Sequence, residues 1–298
     1  MAAISGGQAL RMAQHALFGS DTAQIDAELL LGAALGATRA GLYAWPERLL
    51  SPSEQSRFEA LLERRILGEP VAYILGEREF WSLRLRVTPA VLIPRPETEL
   101  LVETALNLAA GTLGSVGAGF AREHSGAVLR VADLGTGSGA IALALASERP
   151  HWQIVATDQS ISALQVASDN ALRLGIHNVS FRQGSWCDAL PAGLFDIILS
   201  NPPYIDPQDS HLTQGDLRFE PVTALAAAEQ GLADLRAICH EAPRHLAPEG
   251  WLLLEHGFEQ GQAVSQLLTD AGFIGVRTLT DLAGLPRMTL GSFAGGGD

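Results

Sequence analysis

The run Ser200-Asn201-Pro202-Pro203-Tyr204-Ile205 carries the sharpest chemical signal in this 298-residue chain. Two successive prolines, Pro202 and Pro203, remove two backbone N–H groups and fix two φ angles, so the turn is rigid and its carbonyls are free to accept hydrogen bonds. Asn201 offers one acceptor and two donors, and with the Pro202 carbonyl it can grip the edge of a planar amide or amidine. Tyr204 adds an aromatic face that can stack on a flat substrate or attract a cationic methyl donor. The apolar run Phe195 to Leu199 precedes this turn and reads as a buried strand. The turn therefore falls at a strand's carboxyl end, where open α/β sheets bind ligands.

A second constellation lies upstream. Asp133-Leu134 is followed by Gly135-Thr136-Gly137-Ser138-Gly139, and a helical pattern begins at once. Glycines allow a tight turn and close backbone approach, while a helix N-terminus offers unpaired N–H groups and a positive dipole end. Such a loop suits a carboxylate or a phosphate equally. Its GxGxG spacing differs from the dinucleotide GxGxxG and tilts away from a nicotinamide cofactor. Asp158 closes the next apolar run, 23 residues after Gly135. An acid there can accept hydrogen bonds from both ribose hydroxyls of a nucleoside, and it can equally serve as a helix N-terminal cap.

These residues need a scaffold that brings strand ends together. From Val128 onward VLRVADL, QIVATD, VSFRQ, FDIILS, WLLLEH, FIGVRTL and RMTLGSF read as strands. AIALALASE, SALQVASDNALRLG, ADLRAICHEAPRHL and GQAVSQLLTDAG read as the helices between them. This alternation predicts a doubly wound, Rossmann-like sheet of seven strands, and the short stretch between the last two predicts an antiparallel pair. Residues 1–75 predict a small helical bundle, from Ile25, Leu29, Leu30 and Leu31 and then Phe58, Leu61, Leu62 and Ile66, with helix starts at Asp21 and Ser53. Residues 76–94 alternate apolar and basic side chains and predict a hairpin connector, leaving 95–298 as the sheet domain. The stretch from Gly111 to Gly126 reads as a glycine-rich loop.

Composition removes several alternatives. All 20 basic residues are arginine, so Schiff-base, P-loop and kinase-type lysines are excluded. Cys187 and Cys239 are the only cysteines, which excludes a disulfide scaffold and a Cys-rich zinc site and fits a reducing compartment; no metal centre is expected. A net charge of −13 argues against stable binding of bulk nucleic acid or of an anionic membrane. With neither a signal peptide nor a spanning segment legible, a cytoplasmic protein is expected.

The Asn201 to Tyr204 run, the glycine loop and Asp158 together resemble S-adenosylmethionine-dependent methyltransferases that act on planar exocyclic or amide nitrogens. Within these, the chain is most similar to the release-factor glutamine methyltransferases, the PrmC/HemK family. The resemblance extends through Ile93-Pro94-Arg95-Pro96-Glu97-Thr98-Glu99, Phe219-Glu220-Pro221, Glu255-His256-Gly257 with Gln260, and Asp281-Leu282-Ala283-Gly284 with Arg287. It implies a mostly parallel methyltransferase sheet with an antiparallel last strand, and S-adenosyl-L-methionine as cofactor. Residues Gly135, Thr136, Gly137, Ser138 and Gly139 would hold its methionine end, Asp158 its ribose, and Trp186 would lie beside its adenine. Asn201, Pro202, Pro203 and Tyr204 would hold the target glutamine, with Asn201, Pro202 and Tyr204 catalytic and Asn201 also touching the cofactor. One departure is Ser185, where many family members carry an acid.

The implied partner is a class 1 peptide-chain release factor presenting its Gly-Gly-Gln loop, recognised with help from the helical domain. The rival reading is an N6-adenine-type nucleic-acid methyltransferase, because the Asn-Pro-Pro-Tyr run is common to both. The basic run Arg78, Arg84, Arg86 and Arg95 speaks for that rival and the overall acidity against it. A cofactor-binding module without catalysis is a third reading, opposed by the intact Asn201 to Tyr204 run. His256 follows a buried strand and reads as structural rather than as a base. Gly6-Gly7-Gln8 copies the release-factor tripeptide and is read as coincidence.

Overall fold

The structure is a computed structural model that describes residues 3–111 and 128–295. Most of the Gly111 to Gly126 stretch lies outside the described residues. The chain divides into two units, Met1–Glu77 with Gln214–Phe219, and Arg78–Thr213 with Glu220–Asp298.

The first unit is helical: α1 (Gly6–Ala16), α2 (Ala23–Leu35), α3 (Arg39–Ala44), α4 (Pro52–Ile66) and α5 (Val71–Leu75). Its core gathers Ala9, Leu30, Leu31, Leu42 and Phe58. The expected helix starts are each shifted. Thr22, not Asp21, precedes α2, and Ser51, not Ser53, caps α4, because Pro52 suits the first helical position and Glu54 closes a capping box with Ser51. Of the expected apolar stripes, Ile25, Leu29 and Ile66 are exposed. A buried ion pair lies beneath them instead: Arg65 Nε meets Asp26 Oδ2 at 2.8 Å, and Arg65 Nη1 meets Asp216 at 2.8 Å. Gly6-Gly7-Gln8 forms the first turn of α1, where the Gln8 side chain accepts the Ser5 N–H at 2.8 Å and completes a capping box.

The second unit opens with a hairpin, β1 (Glu77–Phe80) and β2 (Leu83–Arg86). Trp81 and Ser82 at its tip both have positive φ, the conformation a two-residue hairpin turn needs and that Asn-Gly usually supplies. Tertiary bonds hold the strained pair: the Trp81 backbone N–H donates to Glu99 at 2.8 Å and its indole N–H to Glu148 at 2.8 Å. Helix α6 (Glu99–Ala109) follows a 3₁₀ turn at Pro96–Thr98.

The remaining elements build the sheet: β3 (Arg130–Leu134), α7 (Ala140–Glu148), β4 (Gln153–Asp158), α8 (Ile161–Leu174), β5 (Val179–Gln183), β6 (Phe195–Ser200), α9 (Ala228–Gly231), α10 (Ala233–Glu241), β7 (Leu246–Glu255), α11 (Gly261–Asp270), β8 (Phe273–Thr280) and β9 (Pro286–Phe293). The helix expected over ADLRAICHEAPRHL stops at Glu241 and continues only as a 3₁₀ turn, since Pro243 cannot donate within it. Strand order is β5-β4-β3-β6-β7-β9-β8. β5 through β7 run parallel, and β9 slots between β7 and β8 antiparallel to both.

Alternation along each strand divides the core between the two faces. Val131, Ile197, Leu199 and Leu253 pack with residues of α6, α7 and α8 on one side. Ala132, Leu134, Ile198, Leu252 and Leu254 pack with α10 and α11 on the other. All six residues of β6 are buried, as a strand covered on both faces requires. Strand order reverses between β3 and β6, so their carboxyl ends define the crevice where ligands bind in such sheets. The glycine loop and the Asn-Pro-Pro-Tyr turn both start there.

Candidate functional site

The glycine loop is fixed by its backbone angles. Gly135, Gly137 and Gly139 have φ of +72°, +57° and +83°, in the left-handed region that side chains other than glycine rarely enter. The N–H groups of Gly135 and Thr136 both donate to the Thr157 carbonyl, at 2.9 and 2.8 Å, which moors the loop to β4. A Cβ on Gly135 would meet the Trp186 ring at 3.0 Å, whereas a Cβ on Gly137 would enter open space. Below the loop, Asp133 Oδ2 accepts the Thr136 hydroxyl at 2.6 Å and the Ala142 N–H at 3.2 Å. Burial, reinforced by the nearby charge of Asp158, pushes the Asp133 carboxyl up to about 7.

Asp158 stands across from the loop. Its Oδ2 accepts the Gly137 N–H at 2.9 Å and its Oδ1 the Ser160 N–H at 2.8 Å. Burial raises its pKa, against the effect of both backbone donors. Trp186 has a positive φ of 43°, and its carbonyl accepts the Thr157 hydroxyl at 3.3 Å. The Asp234 carboxylate on α10 holds its side chain by a hydrogen bond.

In the turn after β6, Asn201 Nδ2 donates to Thr98 Oγ1 at 3.1 Å. The Tyr204 hydroxyl donates to Glu255 Oε1 at 3.2 Å, and its own ionisation is pushed up, by burial first and by the Glu255 charge second. The Tyr204 carbonyl accepts Gln260 Nε2 at 3.0 Å. The same nitrogen donates to the Gln230 carbonyl at 3.1 Å, and Gln260 Oε1 accepts the Gly257 N–H at 2.9 Å. One carboxamide thus ties the Tyr204 turn to the left-handed residues Glu229, Gln230 and Gly231 and to the loop after β7.

A cavity of about 250 Å³ opens at this sheet edge. Of the expected residues, Gly135, Gly137, Asp158, Trp186, Asn201 and Pro203 line it. Thr136 and Ser138 are buried behind the loop; the Ser138 carbonyl accepts Asn170 Nδ2 at 2.9 Å. Gly139 serves as the N-cap of α7, and Pro202 and Tyr204 are not among the lining residues. Pro221, from the Phe219-Glu220-Pro221 run, also lines the cavity, as do Leu92 and Thr223, which the sequence did not single out. Arg95 is drawn away to pair with Glu220, a side chain without exposed surface that also accepts the Ile93 N–H at 3.0 Å. His256 is fully buried, with Nε2 on Thr289 at 2.8 Å and its pKa lowered by burial, as a structural histidine requires.

Two family models match the chain, the PrmC N-terminal domain over residues 8–76 and the methyltransferase small domain over residues 105–217. A release factor glutamine methyltransferase of Pseudomonas aeruginosa is 52% identical over 276 residues, 92% of this chain and 94% of the relative. That of Vibrio cholerae is 50% identical over 276 residues, covering 92% and 91%.

The chain belongs to the release factor glutamine methyltransferase family. Family membership makes it a methyltransferase acting on protein glutamine and does not favour the adenine-methyltransferase reading. Among solved structures, a crystal structure of the human METTL16 catalytic domain with an RNA hairpin has a TM-score of 0.55 at 15% identity, covering 83% of this chain and 84% of that one. A methyltransferase from Pyrococcus furiosus has a TM-score of 0.50 at 18% identity, covering 78% and 97%. Both share the methyltransferase fold. Within this family member the basic run is dispersed: Arg86 pairs with Asp169 at 3.1 Å and Arg95 with Glu220. Among the described residues there is no cluster that could hold a metal ion and no helix long and apolar enough to cross a membrane.

Proposed function

We propose that the protein transfers a methyl group from S-adenosyl-L-methionine to the side-chain amide nitrogen, N5, of the glutamine in the Gly-Gly-Gln motif of class 1 release factors, in the cytoplasm. The observation that carries this reading is that a glycine loop, an acid at the end of the next strand and an Asn-Pro-Pro turn border one cavity at the switch point. The cavity suits the cofactor: the open space over Gly137 leaves room at the backbone, and the Asp158 carboxylate faces the same hollow. Gly135 to Gly139 would hold the methionine end, Asp158 the ribose, and Trp186 would flank the adenine. The helical unit, residues 1–75 with the 76–94 connector leading to the 95–298 domain, would recognise the release factor.

When bound, S-adenosylmethionine supplies an electrophilic methyl on a sulfonium. An amide nitrogen is a poor nucleophile because its lone pair is delocalised into the carbonyl, so the protein's part is placement. Asn201 and the Pro202 carbonyl bind the target NH₂ group and hold the nitrogen in line. Pro203 keeps that turn rigid, and Tyr204 braces it from behind. Excluding water keeps the nitrogen from being hydrogen-bonded away. The alkylated nitrogen is acidic enough to release its proton along the Pro202 contact to water, so no dedicated base is needed.

The test is transfer of labelled methyl to an unmodified release factor, beside its Gly-Gly-Ala variant and mixed DNA and RNA. Label on the factor that disappears in the variant supports the reading. Label on nucleic acid alone overturns it.

A further inference from the structure

Glu255 ends β7 behind the Asn201 turn with only 1% of its surface exposed. Its Oε1 accepts the Tyr204 hydroxyl at 3.2 Å, and the Thr98 hydroxyl bonds the same carboxyl group. Its Oε2 is buried and has no partner among the described residues. Thr98, itself 4% exposed, accepts Asn201 Nδ2 at 3.1 Å. Asn201, Thr98, Glu255 and Tyr204 thus form one short chain of hydrogen bonds, and nothing in the reaction outlined above uses Thr98 or Glu255.

A hydroxyl carries one proton, so the chain has a direction. While Glu255 is a carboxylate, Thr98 gives it that proton and accepts from the Asn201 NH₂ group. The Asn201 carbonyl oxygen is then the end left for a ligand. When Glu255 takes up a proton and donates it to Thr98, the Thr98 hydroxyl is released to donate to Asn201, and the carboxamide can turn over to accept. Its NH₂ group then faces outward. A glutamine NH₂ is a donor on both hydrogens and needs an acceptor, so only the first arrangement holds the target nitrogen.

We propose that Glu255 is a positioning residue that, acting through Thr98, sets which end of the Asn201 carboxamide meets the substrate, and that a proton on Glu255 turns the site off. The inference rests on the reading of Asn201 as the ligand of the target amide. The switch lies in the neutral range, because burial pushes the Glu255 carboxyl up to about 7 against the pull of Thr98, Tyr204 and Arg287, with Glu97 adding to the rise. These groups come from every element facing it: Glu97 and Thr98 from the turn before α6, Tyr204 from the turn after β6, and Arg287 from β9. The pKa of its neighbour in the chain, His256, is lowered, by burial first.

The experiment is the pH dependence of single-turnover methyl transfer to unmodified release factor at saturating S-adenosylmethionine. The wild-type rate should fall about tenfold per pH unit below the midpoint and level off above it. Glu255→Gln should be slow and flat between pH 5.5 and 8.5, because a carboxamide sets no direction. Thr98→Val should be flat with the carboxyl intact, while Thr98→Ser, which keeps the hydroxyl, should keep the limb. Cofactor affinity should stay within about threefold in all three, which separates positioning from a general collapse of the site. A limb that survives unchanged in Glu255→Gln or in Thr98→Val overturns the proposal. Full transfer by Asn201→Ala would instead overturn the assignment of Asn201 on which it rests.

Discussion

The Asp158 carboxylate accepts the Gly137 N–H at 2.9 Å, so the acid assigned to the ribose also closes the glycine loop from the neighbouring strand. Its other oxygen accepts the Ser160 N–H at 2.8 Å at the start of α8. Asparagine has one acceptor oxygen and would set its NH₂ group against one of these donors. Asp158→Asn should therefore weaken cofactor binding by about 1–3 kcal/mol, roughly 5- to 150-fold in Kd. Calorimetric titration with S-adenosylhomocysteine measures it. Asn201→Ala, in the same titration, should bind within about threefold of wild type while transfer is lost. Equal affinities for Asp158→Asn and wild type would remove Asp158 from the cofactor site.

Gly231 is the tightest glycine beside the Tyr204 turn. At φ +84°, a Cβ there would lie 2.0 Å from the Tyr204 carbonyl oxygen, backbone that cannot swing aside. Gly231→Ala should cost more than about 2 kcal/mol in urea unfolding and most of the turnover. The control is Gly175→Ala, at φ +68° with nothing within 4 Å of the added Cβ, which pays the conformational strain alone, about 1 kcal/mol, with turnover kept. Similar turnover in both variants would show that the Tyr204 carbonyl does not matter to the reaction.

Two buried carboxyls set a pH dependence of stability. Asp133 and Glu255 are each raised to about 7 by burial, so the fold holds protons that the unfolded chain releases. Their contribution is complete below the ordinary carboxyl range and is lost as pH rises through about 7. Asp133→Asn copies the protonated form, and its Tm should exceed that of wild type at pH 8 by roughly 3 °C or more, with a clearly smaller gain at pH 5 that vanishes below about pH 4. Comparison with wild type cancels the opposing titration of His256. A gain of equal size at both pH values would contradict the raised carboxyl.

The two thiols should be inert in the folded protein. Cys187 and Cys239 are both buried, and burial pushes each up to about 12. At pH 8 neither supplies thiolate for a disulfide reagent. Release of thionitrobenzoate should be absent in buffer and reach two equivalents per chain in guanidinium, a ratio set by the two cysteines of the sequence.

What the sequence makes legible follows contiguity. The glycine loop and the Asn201 to Tyr204 turn are local backbone constraints written in adjacent residues, and the sheet alternation locates both at strand ends. Thr98 and Glu255 escape such a reading because they meet the turn from 103 and 51 positions away, although each sits in a run quoted for its family resemblance. The exposed Ile25, Leu29 and Ile66 mark the opposite failure: apolar spacing points to a helix correctly but does not say which of its apolar residues the neighbours cover. The insertion of β9 between β7 and β8 is likewise invisible to a pattern that reveals only an antiparallel pair.

That insertion has a consequence for how the protein is made. Glu255 is paired with Met288 of β9, the His256 N–H donates to the Arg287 carbonyl at 2.9 Å, and β8 reaches the sheet only through β9. Part of what surrounds the buried carboxyl therefore comes from β9, which follows every other strand among the described residues. Until β9 has emerged from the ribosome, the glycine loop can form but the wall behind Asn201 is incomplete. The turn that carries Asn201 is thus in place before the strand that encloses the carboxyl behind it.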